Sequence, residues 1–321
     1  MNDASIEILD EKGRWRARDV SYWAGRWDQV RTQIPQFETR EFRASGDTPA
    51  NPYMKSVVRL PRTKVEQPVP VGTVSNTYTL AQHHEVAERC FDGIRQAGID
   101  CDELRCDLGL TELGEWMNLR IYFPERFSHT PKDKETLALR LECFNSVDAS
   151  SRLVILLGWL RFVCTNGLVI GETKTELRDI HNSNMNLNKI PGIICDALEH
   201  VQKDKERITF WESKALKQEA LSPWVNETLT NEWNKKSACR VFHICETGFD
   251  VEITDPFAPG SATEKPVKQT RKVPGSPIKA TNLYDVSQAM SWVTSDRNDP
   301  EEKVEWQSAI PGLIQKLAAS A

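Results

Sequence analysis

Hydrophobic and polar positions change period several times along the chain, and each change predicts an element. Around residues 19–33, Tyr22, Trp23, Trp27 and Val30 fall on one stripe at helical spacing, which predicts a short helix. From residue 53 to 82 the stretches SVVRLPR and VPVGTVSNTYTLA are rich in β-branched residues and divided by proline, the pattern of strands. A helix then follows from Thr79: Leu80, His84, Ala87, Phe91 and Ile94 recur at helical spacing, and Gly98 stands where a carboxyl-terminal cap belongs.

Three runs, GEWMNLRIYF, LALRLECFNS and SRLVILLGWLR, come next and read as strands. SVDASS supplies turn chemistry between the last two, so an antiparallel meander is expected. After residue 185 the pattern becomes helical up to NEWNKK, interrupted by Pro223 into two or three helices; RVFHICETGFDVEI fits a strand or a short helix. Residues 255–281 are rich in proline, glycine, serine and lysine and read as a flexible basic loop. The tail NLYDVSQAMSWVTSDR is amphipathic, with Leu283, Val286, Met290 and Val293 in one stripe.

The fold class expected is therefore α+β, an antiparallel β meander packed with helices and followed by a helical carboxyl-terminal half. Its organisation reads as an aromatic and basic segment over 1–52, a core domain over 53–254, the basic loop over 255–281 and a helical segment over 282–321.

With 321 residues, 39% of them hydrophobic, the chain can bury a full core. No run approaches the 18 to 20 apolar residues, roughly, of a membrane span. The amino terminus has no basic patch followed by an apolar run, so no membrane partner is expected and the cytoplasm is the expected location. Eight cysteines stand without a CxxC pair and read as reduced, buried thiols rather than as a zinc or redox site. HHEVAE places Glu88 where a zinc-protease helix needs its second histidine, so no metal is expected there. Phosphate-binding glycine loops are missing from the sequence, and no cofactor is expected.

Two chemistries remain. Cys164 with His181, and Asn166, Asn182 or Asp179 as orienting group, are the residue types of a thiol catalyst. Cys164 also ends an apolar run, and the simpler reading places it in the core with Asn166 and Gly167 closing the element, so the expectation leans away from an enzyme. Glu112, Glu115 and Glu142 are scattered carboxylates that the spacing does not pair. A surface for single-stranded nucleic acid needs cations for phosphates and aromatic faces for bases. Three segments offer the mixture: the arginine- and tryptophan-rich amino terminus, the strand with Arg59, Arg62 and Lys64, and the loop with Lys265, Lys268, Arg271 and Lys272. The net charge of −5 lacks the signature of a general duplex-DNA binder but leaves local basic patches possible.

Four stretches together resemble a known family. VGTVSNTYTLAQHHEV (71–86), LRFVCTNGL (160–168), LRDIHNSN (177–184) and the tail helix are similar, in that order, to motifs of the phage/plasmid-like proteins known as domain of unknown function 932. The resemblance implies a phage, plasmid or prophage setting and no particular reaction. Within it, a non-catalytic, homo-oligomeric single-strand annealing or recombination mediator is one expectation. A protein that meets a host or defence protein by surface contact is the alternative, and a cysteine-dependent hydrolase is the third.

Overall fold

A computed structural model describes residues 6–15, 17–132, 136–161, 167–168, 177–179, 185–253, 267–295, 297 and 300–320. The strands are β1 (Glu7–Trp15), β2 (Arg18–Gly25), β3 (Phe37–Glu41), β4 (Met54–Arg59), β5 (Val69–Ser75), β6 (Arg105–Thr111), β7 (Trp116–Tyr122), β8 (Leu137–Ser146), β9 (Leu153–Arg161), β10 (Gly167–Leu168), β11 (Leu177–Asp179), β12 (Phe249–Ile253) and β13 (Val267–Lys272). The helices are α1 (Trp27–Val30), α2 (His83–Gln96), α3 (Ile190–Glu199), α4 (Val201–Ser213), α5 (Gln218–Trp224), α6 (Thr230–Glu232), α7 (Lys235–Thr247), α8 (Leu283–Ser295) and α9 (Pro300–Ala319). Strands dominate the first half and helices the second, so the protein is α+β as its periodicity predicts. The chain divides into two compact units: residues 1–127, 139–157 and 174–200, and residues 128–138, 158–173 and 201–321.

In the first unit an antiparallel sheet runs β1-β2-β6-β7-β8-β9, with β11 also pairing on β9. The expected meander is its β7-β8-β9 portion. Residues 19–33 are not one helix. Val20, Tyr22 and Ala24 are buried at alternate positions of β2, paired to β6, and the helical part is confined to Trp27–Val30 and the 3-10 turn Arg31–Gln33 that continues it. Four aromatic or aliphatic residues fit either period there, and the ladder available on β6 selects the extended form.

Helix α2 starts four residues later than its pattern suggests, at His83, and buries Val86, Ala87, Cys90, Phe91 and Ile94. Gly98, at φ +76°, ends it: Ile99 N–H donates to the Ile94 carbonyl at 3.2 Å, a Schellman closure that needs the left-handed backbone. Gly93 lets α3 approach, since a Cβ there would sit 2.8 Å from the Pro191 carbonyl and the Ile194 Cβ. His83 is fully buried; its Nδ1 accepts from Asn145 Nδ2 and its Nε2 donates to the Gly114 carbonyl, both at 2.9 Å. A smaller antiparallel sheet, β3-β4-β5, closes over Phe37, Val57, Val71, Val74 and Val147.

In the second unit, α4 through α9 bury a core that includes Trp211, Leu221, Trp224, Val241, Met290, Val293 and Leu313. The whole predicted stripe of the tail, Leu283, Val286, Met290 and Val293, is inside. Trp233 and Trp306 stack at 4.7 Å with 8° between their planes, and the Arg297 guanidinium lies over Trp306 at 4.2 Å. Pro223 does not divide the helical region, because it sits within α5; α4 and α5 are instead separated by residues 214–217. RVFHICETGFDVEI contains both elements that its sequence allows, the end of α7 and then β12. Residues 267–272, part of the stretch that composition reads as a flexible loop, form β13 antiparallel to β12. Backbone pairing with β12 holds a segment whose charged side chains alone give no strand signal.

Candidate nucleic-acid interface

Arg59, Arg62 and Lys64 lie together at the end of β4. Val57 and Val58 anchor that strand in the core, and Leu60 N–H donates to the Gln36 carbonyl at 2.8 Å as the ladder ends before Pro61, which has no N–H to continue it. The chain turns there, bringing Arg62 within electrostatic reach of Arg59. Burial, and then the neighbouring Arg59 charge, lower the Arg62 pKa below its ordinary value, while Glu66 partly offsets them. The Arg62 guanidinium donates to the Gln33 carbonyl and its backbone N–H to Glu66 Oε2 at 2.7 Å. The Arg59 Nε is buried and meets no acceptor. Two like charges thus lie within electrostatic reach of each other, Glu66 offsets them only in part, and one donor of Arg59 is unused.

The same small sheet carries further cations. Arg40 and Arg43 are held by Glu38 and Glu41, each at 2.5 Å, whereas Lys55, Arg59, Arg62 and Lys64 form no ion pair among the described residues.

The second predicted basic segment is built differently. Lys268, Arg271 and Lys272 are exposed on β13, in the second unit, with Lys268 opposite Glu252 across the ladder. The Arg271 guanidinium lies over the Trp292 ring, 4.3 Å from its centre. Trp292 is itself 5% exposed, and its Nε1 donates to Asp250 Oδ2 at 2.8 Å. Arg240 grips the same carboxylate twice, at 2.9 and 2.6 Å. Burial raises the Asp250 pKa, but the bonds from Arg240 and Trp292 outweigh it and hold the carboxyl below its usual range. This segment offers charge but keeps its tryptophan face covered.

Lys265, Cys164 and His181 lie outside the described residues. Among the described cysteines, Cys101, Cys106, Cys143 and Cys245 all have thiol pKa values raised, by burial in each case and in Cys143 first by its hydrogen bond with Cys90. That is the direction opposite to an activated nucleophile. No cluster of three metal-ligating side chains occurs among the described residues.

Sequence reasoning missed an ionic layer on the main sheet. On β7, Asn118, Arg120 and Tyr122 alternate with the buried Met117, Leu119 and Ile121, so the polar three share one face. Arg120 donates to both Glu11 oxygens at 2.8 and 3.0 Å and lies 4.6 Å above the Tyr22 ring. Glu142 accepts from Arg140 at 2.6 Å and Asn118 at 3.1 Å. Burial disfavours the Arg120 charge, but Tyr22, Glu142 and Glu11 keep its pKa well above the ordinary value. Burial also raises Asp107, which accepts from Tyr122 at 2.8 Å, and pushes Tyr122 up to about 12. Strict alternation in MNLRIY and LRLE is the signal that marks this face.

The scattered carboxylates do not form an acid and base pair. Glu115 is buried against Arg18 and accepts from Thr111 at 2.7 Å, Glu142 belongs to the layer just described, and Glu112 is exposed.

A family model described as Domain of unknown function (DUF932) matches residues 70–270. No curated protein and no solved structure matches the chain.

Proposed function

The chain belongs to that family, whose model spans more than half of it, and from this premise we propose that the protein binds single-stranded nucleic acid without catalysing a reaction. The role fitting such binding is an annealing or recombination mediator of a mobile element, working as a homo-oligomer. The observation that carries this reading is the Arg59 and Arg62 pair, two guanidiniums within electrostatic reach of each other, which Glu66 offsets only in part and of which Arg59 keeps a donor unused. A phosphate placed between them would offset their repulsion. Lys55 on β4 and Lys64 in the turn that follows it add to the positive charge of this region.

The test is a fluorescence-anisotropy titration of a labelled single-stranded oligonucleotide at low and moderate salt, with light scattering on the same sample. Each phosphate contact contributes about 0.7 to the slope of log affinity against log salt for a single strand. Arg59→Gln with Arg62→Gln is therefore expected to flatten that slope by about 1.4 while the fold is kept. Absence of wild-type binding at low salt would refute the reading.

A further inference from the structure

Cations alone give a surface that tracks phosphates; a single-strand binder also needs rings on which bases stack. Most of the aromatic residues are spent on the interior, as the stacked Trp15 and Trp116 and the stacked Trp233 and Trp306 illustrate. Among the described residues three aromatic rings are exposed: Phe42 at 38%, Tyr53 at 77% and Phe210 at 52%. Two of those three flank one loop, the connection between β3 and β4.

Their placement is fixed by the backbone. Phe42 directly follows β3 and Tyr53 directly precedes β4. Asn51 joins the two positions, its N–H donating to the Phe42 carbonyl and its Oδ1 accepting from Tyr53 N–H, both at 2.8 Å. The Tyr53 carbonyl accepts in turn from Asn76 N–H at 3.0 Å, next to the end of β5. Arg43 braces the loop by holding Glu41 and the Thr48 carbonyl, at 2.5 and 2.6 Å. A pinned backbone carrying exposed, two-torsion aromatic side chains lowers the entropy lost when a flat ligand settles on them.

The surroundings favour a polyanion. Between Phe37 and Lys64 six basic residues stand against three acidic ones, in a chain whose net charge is −5. Tyr53 and Arg59 stand at opposite ends of β4, about 20 Å apart at the rise of a strand, so a short single strand would meet both.

We propose that Phe42 and Tyr53 are base-stacking residues at the neck of the β3–β4 hairpin, taking bases of a single strand whose phosphates run to Arg59 and Arg62. This rests on the reading of the protein as a single-strand binder and assigns its base contacts.

The experiment compares oligo-dT with an abasic oligonucleotide of the same length, which keeps the phosphates and removes the bases, using Phe42→Ala, Tyr53→Ala and Tyr53→Phe. Both rings are exposed, and circular dichroism checks that the variants stay folded. Tyr53→Ala and Phe42→Ala are each expected to weaken oligo-dT binding by about 5- to 100-fold, to leave the abasic affinity unchanged, and Tyr53→Phe to keep wild-type binding. Wild-type oligo-dT affinity in both alanine variants, in a protein that still loses binding through Arg59→Gln with Arg62→Gln, would overturn the stacking assignment and leave the function standing. Equal losses on both oligonucleotides would overturn it as well, because the rings would then act without bases. Binding of neither oligonucleotide by the wild-type protein would sink function and assignment together, and is the outcome if these rings meet a protein surface.

Discussion

The end of β4 and the strand β13 are equally basic in sequence, yet the fold uses their arginines in opposite ways. Arg271 on β13 is committed: it covers Trp292, which is fastened to Asp250, which Arg240 holds. Arg59 at β4 is uncommitted, with a donor unused and a second guanidinium within electrostatic reach. An arginine already packed on a tryptophan gives structure, whereas one held next to a like charge keeps its binding capacity for something else. Basic composition cannot separate the two cases; the partner of each guanidinium does.

The sharpest way to break the comparison is to cut the committed network. Arg240→Ala leaves the Asp250 carboxylate buried with only Trp292 and a backbone N–H as donors, the situation that typically costs about 3–5 kcal/mol. Thermal unfolding is expected to shift down strongly, with single-strand affinity at 25 °C little changed as long as the variant is folded. A large loss of affinity in the folded variant would show that the β13 region binds after all.

The same carboxylate sets an acid limit. Its folded pKa lies below the unfolded value near 3.9, so its contribution is complete above that value and is lost as pH falls through the depressed folded one. Unfolding followed from pH 5 to pH 2 is expected to lose stability fastest below about pH 4, and Asp250→Asn to flatten that limb. An unchanged acid limb in Asp250→Asn would mean that other carboxylates dominate it.

Sequence alone reached most of the second unit's helices and the β7-β8-β9 meander, because their apolar periods are long and unambiguous. It missed β1, β2, β3, β6 and β13, the first and the last of these for a common reason. EILDEKGRW and VKQTRK carry too many charges to announce a strand, and each becomes one only by pairing with its neighbour in sequence, β2 or β12. In β2 the aromatic residues satisfied two periods at once, and pairing with β6 decided between them. For the interface, Arg59, Arg62 and Lys64 were legible as a cluster of cations on a strand end. What set Arg59 apart from Arg271 was not, since an unused donor and a covering ring are tertiary facts. Phe42 and Tyr53 stand eleven positions apart around a loop of ordinary turn formers, and only the β3–β4 register and Asn51 bring their backbones to one neck.

The smallest expected effect separates the two arginines by sign. Arg271→Ala removes a cation from the face of Trp292, and an exposed cation–π contact is worth about 0.5–1 kcal/mol, so chemical denaturation is expected to show a loss of that order. Arg59→Gln removes a charge that repels Arg62 and a buried N–H that has no acceptor. Its expected effect on stability is therefore close to zero or slightly favourable, because nothing satisfied is lost and a like-charge contact disappears. A residue that can be neutralised without loss of stability is not there to hold the fold together. Should Arg59→Gln instead destabilise as much as Arg271→Ala, its guanidinium would have a partner inside the protein, and the contrast between the two basic regions would fail at its narrowest point.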